Sequence, residues 1–505
     1  MTTASAFLGI DCGTQGTKAL LLQQDGKTLG RGYAKHDIIE RANGAREQDP
    51  RWWVDALKTS VAAAMASHPN AAVQGIGISG QQHGLVVLDE ANEVIRPAKL
   101  WNDTETAPQN EKLLTHFGGP EAWIERFGIV PRTGYTVSKL LWLKEVEPQN
   151  FARVRHILLP HEYLNLWLTG NLRAEYGDAS GTGYFDPRSR KWIAEVLQWI
   201  DGGSGQLVSA LPQLITPEDA VGKLRPEIAD ELGLPHDCLV ASGGGDNMMG
   251  ALGTGNVKQG VVTMSLGTSS TVYSYRDAPA EDRSGNVAPF CSSSGGWLPL
   301  VCTMNATNVV TQTVELIGST VAALEPALQN TPPGADGLVW LPFLNGERTP
   351  DLPSARGTLL GVSANNYTQQ HLIRAMVEGV SFGILAGLEL ILQGAAAQTV
   401  QLIGGGAKSA EWRQLLADAT GATIQVPAEE EAGCLGAAIQ AMYACGCAAG
   451  DGGSFQELAD RYVRVDDSKT ARPNPANRDL YRAAMRAYQD ALHHQYPETA
   501  GSSAT

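Results

Sequence analysis

The predicted fold depends most on one stretch near the start of the chain: Phe7-Leu8-Gly9-Ile10-Asp11-Cys12-Gly13-Thr14-Gln15-Gly16-Thr17-Lys18-Ala19-Leu20-Leu21-Leu22. Apolar runs at 7–10 and 19–22 flank a turn rich in glycine and hydroxyl groups, which predicts strand, tight turn, strand. Glycines let the backbone approach a phosphate and present N–H groups to it. Gly13, Thr14 and Thr17 are therefore candidate nucleotide contacts, although a plain hairpin turn is the alternative.

The acid that opens this turn has a chemistry of its own. Asp11 stands at the end of a buried strand, where a carboxylate suits Mg²⁺ held in part through water. The alternative is an Asp side chain that caps its own turn.

The same hairpin pattern returns in the second half of the chain. Residues 261–265 and 271–275 are predicted strands around the turn Gly267-Thr268-Ser269, which carries the same groups without the acid. Two such hairpins, one near the head of each half, indicate a duplicated domain. We expect the two Gly-Thr loops to hold a nucleotide triphosphate between them, with Thr268 as a contact.

A third glycine cluster precedes a predicted helix. The run Gly404-Gly405-Gly406-Ala407-Lys408-Ser409 follows a predicted strand, which is the setting of a nucleotide-contacting loop. Gly405, Gly406 and Ser409 are candidate contacts, and Ser409 is also a candidate N-cap.

Further polar residues suit a substrate that carries hydroxyl groups. Asp246 follows three glycines, and transfer of a phosphoryl group to an alcohol needs a carboxylate that accepts the hydroxyl proton. A lone turn residue is the alternative reading of Asp246. The pairs Gln82-His83 and Trp101-Asn102-Asp103 offer planar polar groups and an aromatic face, as sugar sites do, although a His in a turn is often structural.

Strands and helices alternate in both halves. Helical periodicity covers residues 52–65, 369–392 and 409–420, and apolar runs at 73–78 and 399–403 are predicted strands. This alternation predicts mixed α/β layers in both halves.

Composition excludes some classes of function. The chain has 505 residues with 43% hydrophobic and 18% charged, which is an ordinary globular composition long enough for two large domains. Its net charge is −15, from 38 basic and 53 acidic side chains. We therefore expect no nucleic acid as a partner, because phosphate contacts need clustered Lys and Arg.

The compartment is predicted from cysteines and apolar segments. Seven cysteines are scattered along the chain without a zinc-site spacing: Cys12, Cys238, Cys291, Cys302, Cys434, Cys445 and Cys447. We expect reduced thiols, no signal peptide and a cytoplasmic location. We also expect no membrane contact, because no apolar stretch approaches the length of a membrane span.

Together these motifs resemble the FGGY carbohydrate kinases, within the superfamily of sugar kinases, chaperone ATPases and actin. The resemblance covers residues 6 to about 490. It is carried by these motifs: Asp11-Cys12-Gly13-Thr14, Ser79-Gly80-Gln81-Gln82-His83-Gly84, Trp101-Asn102-Asp103, Lys139-Leu140-Leu141-Trp142, Gly243-Gly244-Gly245-Asp246-Asn247, Ser265-Leu266-Gly267-Thr268-Ser269, Gly346-Glu347-Arg348-Thr349-Pro350 and Gly404-Gly405-Gly406-Ala407.

The resemblance implies an α/β fold of two duplicated actin-like (ribonuclease H-like) ATPase domains with a deep cleft between them. It places the N-terminal domain, with the sugar site, at 6–250 and the C-terminal domain, with the adenosine site, at 251–492. The small and polar residues 497–505 are predicted to form a frayed tail. The implied cofactors are ATP and Mg²⁺, and the implied assembly is a homodimer.

The resemblance also implies roles for single residues. These are Asp246 as the catalytic base, Asp11 as the metal-associated acid, Gln82, His83, Trp101, Asp103 and Asn247 at the sugar, and Thr268, Gly405 and Gly406 at the nucleotide.

The implied substrate is D-xylulose, phosphorylated to D-xylulose 5-phosphate. Gln82 stands where Met is usual among the xylulose-specific members, and Glu105 stands where Arg is usual. These two departures leave a kinase for ribulose, erythritol or glycerol as the alternative. From other classes of function, the alternatives are an ATPase without a sugar substrate and an inactive sugar sensor.

Overall fold

The computed structural model describes residues 5–497 and Thr499. The α-helices are α1 (Pro50–Met65), α2 (Ala107–His116), α3 (Pro120–Phe127), α4 (Thr136–Val146), α5 (Pro148–Arg153), α6 (Pro160–Thr169), α7 (Tyr176–Ala179), α8 (Ala194–Asp201), α9 (Gln206–Ser209), α10 (Pro226–Leu232), α11 (Asp246–Gly253), α12 (Thr307–Leu316), α13 (Leu324–Asn330), α14 (Gln369–Leu392), α15 (Ala410–Thr420), α16 (Ala432–Ala449), α17 (Phe455–Tyr462) and α18 (Arg478–Gln495).

The strands in the same residues are β1 (Ser5–Cys12), β2 (Gly16–Gln23), β3 (Thr28–Lys35), β4 (Ile39–Glu40), β5 (Arg46–Gln48), β6 (Ala72–Gly80), β7 (Val86–Leu88), β8 (Ala98–Lys99), β9 (His156–Leu158), β10 (Arg173–Glu175), β11 (Phe185–Asp186), β12 (Lys191–Trp192), β13 (Gln213–Ile215), β14 (Ala220–Lys223), β15 (Leu239–Ala241), β16 (Gly244–Gly245), β17 (Val261–Leu266), β18 (Ser270–Ser274), β19 (Ala288–Cys291), β20 (Trp297–Thr303), β21 (Val339–Leu341), β22 (Thr358–Leu360), β23 (Thr399–Ile403) and β24 (Thr423–Gln425).

The chain forms two compact units whose segments interleave. The first unit holds residues 1–257, 276–298 and 431–463, and the second holds 258–275, 299–430 and 464–505. The predicted tail at 497–505 lies outside the described residues except for residues 497 and 499.

The first unit is built on a sheet in which the opening hairpin is central. Its strand order is β14-β15-β6-β1-β2-β3. β1 pairs antiparallel with β2, and β2 pairs antiparallel with β3, as the apolar–turn–apolar pattern predicts. β1 also pairs in parallel with β6, and β6 pairs in parallel with β15. The carboxyl ends of these parallel strands meet at one edge of the sheet, which is where ligands bind in open α/β sheets.

Two helices cover this sheet through close contacts at glycines. α1 begins after the N-cap Asp49 and buries Trp53, Leu57 and Val61 completely. A Cβ at Gly9 would lie only 1.8 Å from the carbonyl oxygen of Cys434 on α16. Strand glycines therefore let the helix backbone lie directly on the sheet.

The second unit repeats the topology of the first. Its sheet includes β20-β18-β17-β23-β24 in that order. β17 pairs antiparallel with β18, and β18 pairs antiparallel with β20. β17 pairs in parallel with β23, and β23 pairs in parallel with β24. The same sequence of antiparallel and parallel neighbours surrounds β1 and β17, as the predicted duplication requires.

Two helices in the described residues are apolar and long enough to cross a membrane by length and composition. They are α14 and α16, and 72% and 61% of their most apolar windows are buried inside the protein. The expectation that no apolar stretch approaches this length was therefore wrong. A helix that is apolar all round is buried, either in the core of a protein or in a membrane. A core helix therefore passes this test of length and composition as well.

Candidate active site

Three strands of the first unit bring the predicted catalytic residues to one sheet edge. Asp11 lies opposite Ser79 in the parallel pair of β1 and β6. β16 pairs in parallel with the last two residues of β6, and Asp246 follows β16 directly as the first residue of α11. The Gln81–His83 turn follows β6, so the acid groups and the expected sugar contacts share this edge.

Asp246 is held by its neighbour and by the charges around it. The backbone N–H and the side-chain amide of Asn247 donate to Oδ1 of Asp246, at 2.8 and 3.0 Å. Burial, together with the negative charges of Asp11 and Asp178, raises the pKa of Asp246 from 3.8 to about 7. A carboxylate with a pKa near neutrality is suited to accept a proton in catalysis.

Gln82 is positioned by Asn247 and keeps a polar group open. Its Oε1 accepts from Nδ2 of Asn247 at 2.8 Å. Its Nε2 is buried and has no hydrogen-bond partner among the described residues. Since buried donors are nearly always paired, this amide is a candidate contact for a ligand oxygen.

His83 stands in a turn with an aromatic wall. Its φ is 64°, and its ring stacks on Tyr135 with the ring centres 4.6 Å apart, while Phe290 lies 5.7 Å away. A Cβ at Gly181 would lie 2.3 Å from the His83 ring, so this glycine makes room for it. Nothing in the spacing of the sequence pointed to Tyr135, Gly181 or Phe290, because they come from distant segments.

The hydroxyl of Thr14 connects the first turn to Trp101. Nε1 of Trp101 donates to Oγ1 of Thr14 at 3.0 Å, and this hydroxyl donates to Oε1 of Gln81 at 3.2 Å. The chain of bonds continues from Nε2 of Gln81 to Oε1 of Gln48, whose own amide donates to the Thr14 carbonyl. The indole is therefore fixed relative to the turn.

Asp103 is buried and only half satisfied. Its Oδ2 accepts from Nζ of Lys99 and from the backbone N–H of Arg46, both at 3.0 Å. Its Oδ1 is buried with no hydrogen-bond partner among the described residues. Glu105, the departure noted above, accepts from Nζ of Lys99 at 2.5 Å and from the Asn43 amide at 2.8 Å. This ion pair gives Glu105 a structural place beside Asp103.

The remaining residues of the first turn differ in their surroundings. Oγ of Ser79 donates to Oδ1 of Asp11 at 2.6 Å. Burial raises the pKa of Asp11, while the Ser79 bond and the positive charge of Lys18 act in the opposite direction. The N–H of Gly13 donates to the Gly16 carbonyl inside the turn. Thr17 is completely buried on β2 opposite Cys12.

The second unit gathers its own glycine turns. Because β17 and β23 are parallel, the turns that follow them lie at the same edge of the sheet. Thr268 is exposed there, and a Cβ at Gly405 would meet only the Leu266 carbonyl oxygen, at 4.0 Å. A Cβ at Gly406 would lie 2.7 Å from Cβ of Leu266. Ser409 is the N-cap of α15 and accepts from the Trp412 N–H at 3.1 Å.

Comparisons with known proteins agree with this arrangement. Residues 6–253 match the N-terminal domain model of the FGGY family of carbohydrate kinases, and residues 262–445 match its C-terminal domain model. A xylulose kinase from Haemophilus influenzae is 45% identical over 498 residues, which cover 97% of this chain and 100% of that protein. A xylulose kinase from Streptomyces rubiginosus is 41% identical over 438 residues, covering 86% and 87%.

A solved structure also matches the whole chain. A xyloylose kinase from Brucella ovis superposes with a TM-score of 0.89 at 32% identity, covering 98% of this chain and 99% of that one. The two-domain α/β kinase fold predicted from the sequence is therefore confirmed. Together with the paired family models, this match leads to one conclusion: the chain belongs to the FGGY family of carbohydrate kinases.

Proposed function

We propose that this protein transfers the γ-phosphoryl group of ATP to a hydroxyl of D-xylulose, giving D-xylulose 5-phosphate and ADP. The observation that carries the proposal is Asp246, whose pKa is raised to about 7 at the sheet edge that also carries Gln82. Relatives at 45% and 41% identity are xylulose kinases, which supports this choice of sugar.

Asp246 acts as the general base in this proposal. The sugar hydroxyl gives its proton to the carboxylate as its oxygen forms a bond to the γ-phosphorus. The bond from that phosphorus to the bridging oxygen breaks, and ADP leaves with the electron pair. Asn247 holds Oδ1 of Asp246 in place during this step.

The sugar is bound by polar atoms that the protein leaves open. Nε2 of Gln82 donates to one sugar oxygen, and Oδ1 of Asp103 accepts from one sugar hydroxyl. The fixed indole of Trp101 and the stacked ring of His83 supply flat walls. Such a combination of planar polar groups and aromatic faces suits a small polyhydroxyl substrate.

The glycine turns of both units contact the nucleotide. In the first unit these contacts come from Gly13 and Thr14, which Thr17 supports from the buried strand behind them. In the second unit Thr268, Gly405 and Gly406 present backbone and hydroxyl groups, and the Ser409 cap begins the helix behind them.

Mg²⁺ fits Asp11. One oxygen of this carboxylate accepts from Ser79, and a single carboxylate is enough for an ion that keeps most of its waters and binds phosphate oxygens. The ion would neutralise the charge of the phosphates. A cytoplasmic location and a homodimer belong to this proposal as expectations.

The test is a panel of sugars and polyols scored for ATP-dependent phosphorylation. The panel contains D-xylulose, D-ribulose, erythritol, glycerol and a reaction without sugar. We expect D-xylulose to have the highest kcat/KM. If another substrate has a kcat/KM ten times higher, that substrate replaces D-xylulose in the proposal. Gln82, which stands where Met is usual, is the physical reason to test other sugars and polyols. ATP hydrolysis that no sugar accelerates would refute the kinase itself.

A further inference from the structure

The Lys139-Leu140-Leu141-Trp142 segment has no role in the proposed reaction, yet it contains a completely buried lysine. Lys139 lies on α4 with no exposed surface. Its Nζ donates to two backbone carbonyls, that of His83 at 2.5 Å and that of Gly134 at 2.8 Å. Burial lowers the pKa of Lys139 to about 7, so the fold accommodates this amine at a cost.

The two carbonyls belong to turns that shape the sugar pocket. His83 has a φ of 64° and carries the ring that stacks on Tyr135. Gly134 has a φ of 98°, and a Cβ there would lie 2.1 Å from the Trp101 carbonyl oxygen. One amine therefore ties the turn of His83 to the turn that packs on Trp101.

The same face of α4 also reaches the carboxylate on the other side of the pocket. Trp142 is three residues after Lys139, so the two side chains share a helix face. Nζ of Lys99 lies 4.0 Å from the centre of the Trp142 ring and donates to Oδ2 of Asp103. The α4 face thus lies behind His83, Trp101 and Asp103 together.

The amine of Lys139 is a donor that two backbone carbonyls share. An apolar side chain at this position would leave the His83 and Gly134 carbonyls without this donor. The bonds of Lys139 therefore fix two turns with unusual backbone angles. Asp246, on α11, is not bonded to it, so loss of the amine leaves the base in place.

We propose that Lys139 is a positioning residue for the sugar pocket, which acts by holding the His83 and Gly134 turns in register. This inference rests on the proposed sugar-kinase function. The amine sets the affinity for the sugar and leaves the transfer step largely unchanged.

The test compares Lys139→Met with Lys144→Met. Lys144 is a matched control, because it lies on the same helix and its Nζ also donates to a backbone carbonyl, that of Ile200 at 2.5 Å. We expect Lys139→Met to raise KM for D-xylulose at least tenfold. We expect its kcat and its KM for ATP to stay within threefold of wild type, and its Tm to fall modestly while the variant stays folded, because two carbonyls lose their donor. Lys144→Met should leave all kinetic constants within about twofold.

Each other outcome is decisive. An unchanged KM for the sugar, or a parallel loss in kcat and in affinity for ATP, would overturn the positioning role. An unfolded Lys139→Met variant would overturn it too, because the amine would then be a determinant of the fold. Wild-type turnover is measured first: if D-xylulose is not phosphorylated, the proposed function fails, whereas an active wild type with an unaffected variant refutes this inference alone.

Discussion

At the scale of single residues, the proposed chemistry rests on one carboxylate, Asp246, whose pKa the protein raises. Burial and the charges of Asp11 and Asp178 act in the same direction on Asp246. The ionised form is disfavoured, so the carboxylate binds a proton readily when the sugar hydroxyl offers one. A base with a pKa near the working pH has both the correct protonation state and a useful affinity for the proton.

The first prediction replaces this base. Asp246→Asn keeps the shape and the Oδ1 acceptor for Asn247, but it cannot take up the proton. We expect kcat to fall by at least about a hundredfold, within the range that positioned base catalysis contributes. Sugar affinity, measured by calorimetry, should change far less.

An acid in another turn, Asp89, provides the control for that variant. Asp89 bonds to Arg153 and to the backbone of its own turn, so Asp89→Asn should leave kcat nearly unchanged. If Asp246→Asn retained more than a tenth of the wild-type kcat, Asp246 would have no place in the mechanism.

The second prediction uses the same variant to measure the cost of the base to stability. The pKa of Asp246 is about 7 in the folded protein against 3.8 ordinarily, so between these values the unfolded chain loses its proton first. Ionisation of this group therefore lowers the stability of the wild type as pH rises from about 4 to 7, and the loss is complete above about 7. The Asp246→Asn variant has no ionisable group at this position, so it does not lose stability in this way as the pH rises. We expect its Tm to exceed that of wild type at pH 8, with the difference shrinking toward pH 4; a difference independent of pH would contradict the assigned pKa.

At the scale of elements, close packing at glycines is what places the site. α16 lies on the first sheet because Gly9 and Gly77 have no side chain in its way: a Cβ would stand 1.8 Å from the Cys434 carbonyl oxygen and 2.0 Å from that of Ala437. The same helix brings Gly433 so close to Asp11 that a Cβ there would lie 3.0 Å from the carboxyl carbon. Asp11 is thus buried by a segment more than 400 residues further along the chain.

The third prediction tests this packing. Gly9→Ala places a methyl group inside the backbone of α16, where nothing flexible can yield. We expect it to lower the free energy of unfolding by more than about 3 kcal/mol, beyond the usual cost of overpacking, or to prevent folding. Gly383→Ala on α14 is the control, since its Cβ would meet only the Tyr488 hydroxyl at 3.3 Å. Chemical denaturation measures the free energy of unfolding of both variants. Equal and small losses would mean that the fold does not depend on the close approach of α16 to β1.

The elements show which parts of the structure can be predicted from sequence. α14 and β23 were predicted with the bounds that the structure has, because their periodicity and flanking residues are local signals. The β1–β2 and β17–β18 hairpins were predicted for the same reason. The contact of α16 with β1 could not be predicted, because no local sequence pattern indicates which helix packs on the glycines of a strand.

The site was predictable to the same extent. Asp11, Gln82, His83 and Asp246 were named from motifs, and the sheet register brings them to one edge. The burial of Thr17 depends on which face of β2 it occupies, and the bonds of Lys139 depend on two turns from separate segments. Sequence spacing carries neither fact.

At the scale of the whole molecule, duplication has produced two sheets with different chemistry. In both units a central strand, β1 or β17, pairs in parallel with a neighbour and leads into a Gly-Thr turn. Only the first unit has an acid, Asp11, at the end of that strand. In the part of the chain that the structure describes, no group of three or more His, Cys, Asp or Glu is arranged to hold a metal ion. With a net charge of −15, the protein also lacks a surplus of cations to neutralise a triphosphate.

The fourth prediction follows from this distribution of charge. We expect Mg²⁺ to arrive with the nucleotide rather than to occupy a preformed protein site, because the ion binds through few carboxylates and several phosphate oxygens. Calorimetry with MgCl₂ alone should show no strong binding, while turnover should stop in excess EDTA and return when Mg²⁺ is restored. Asp11→Asn should lower kcat sharply and leave sugar binding nearly intact, since Asp11 touches Ser79 and not the expected sugar contacts. Full turnover in EDTA would show that protein groups neutralise the phosphates instead, and tight binding of Mg²⁺ without ATP would show a preformed protein site for the ion.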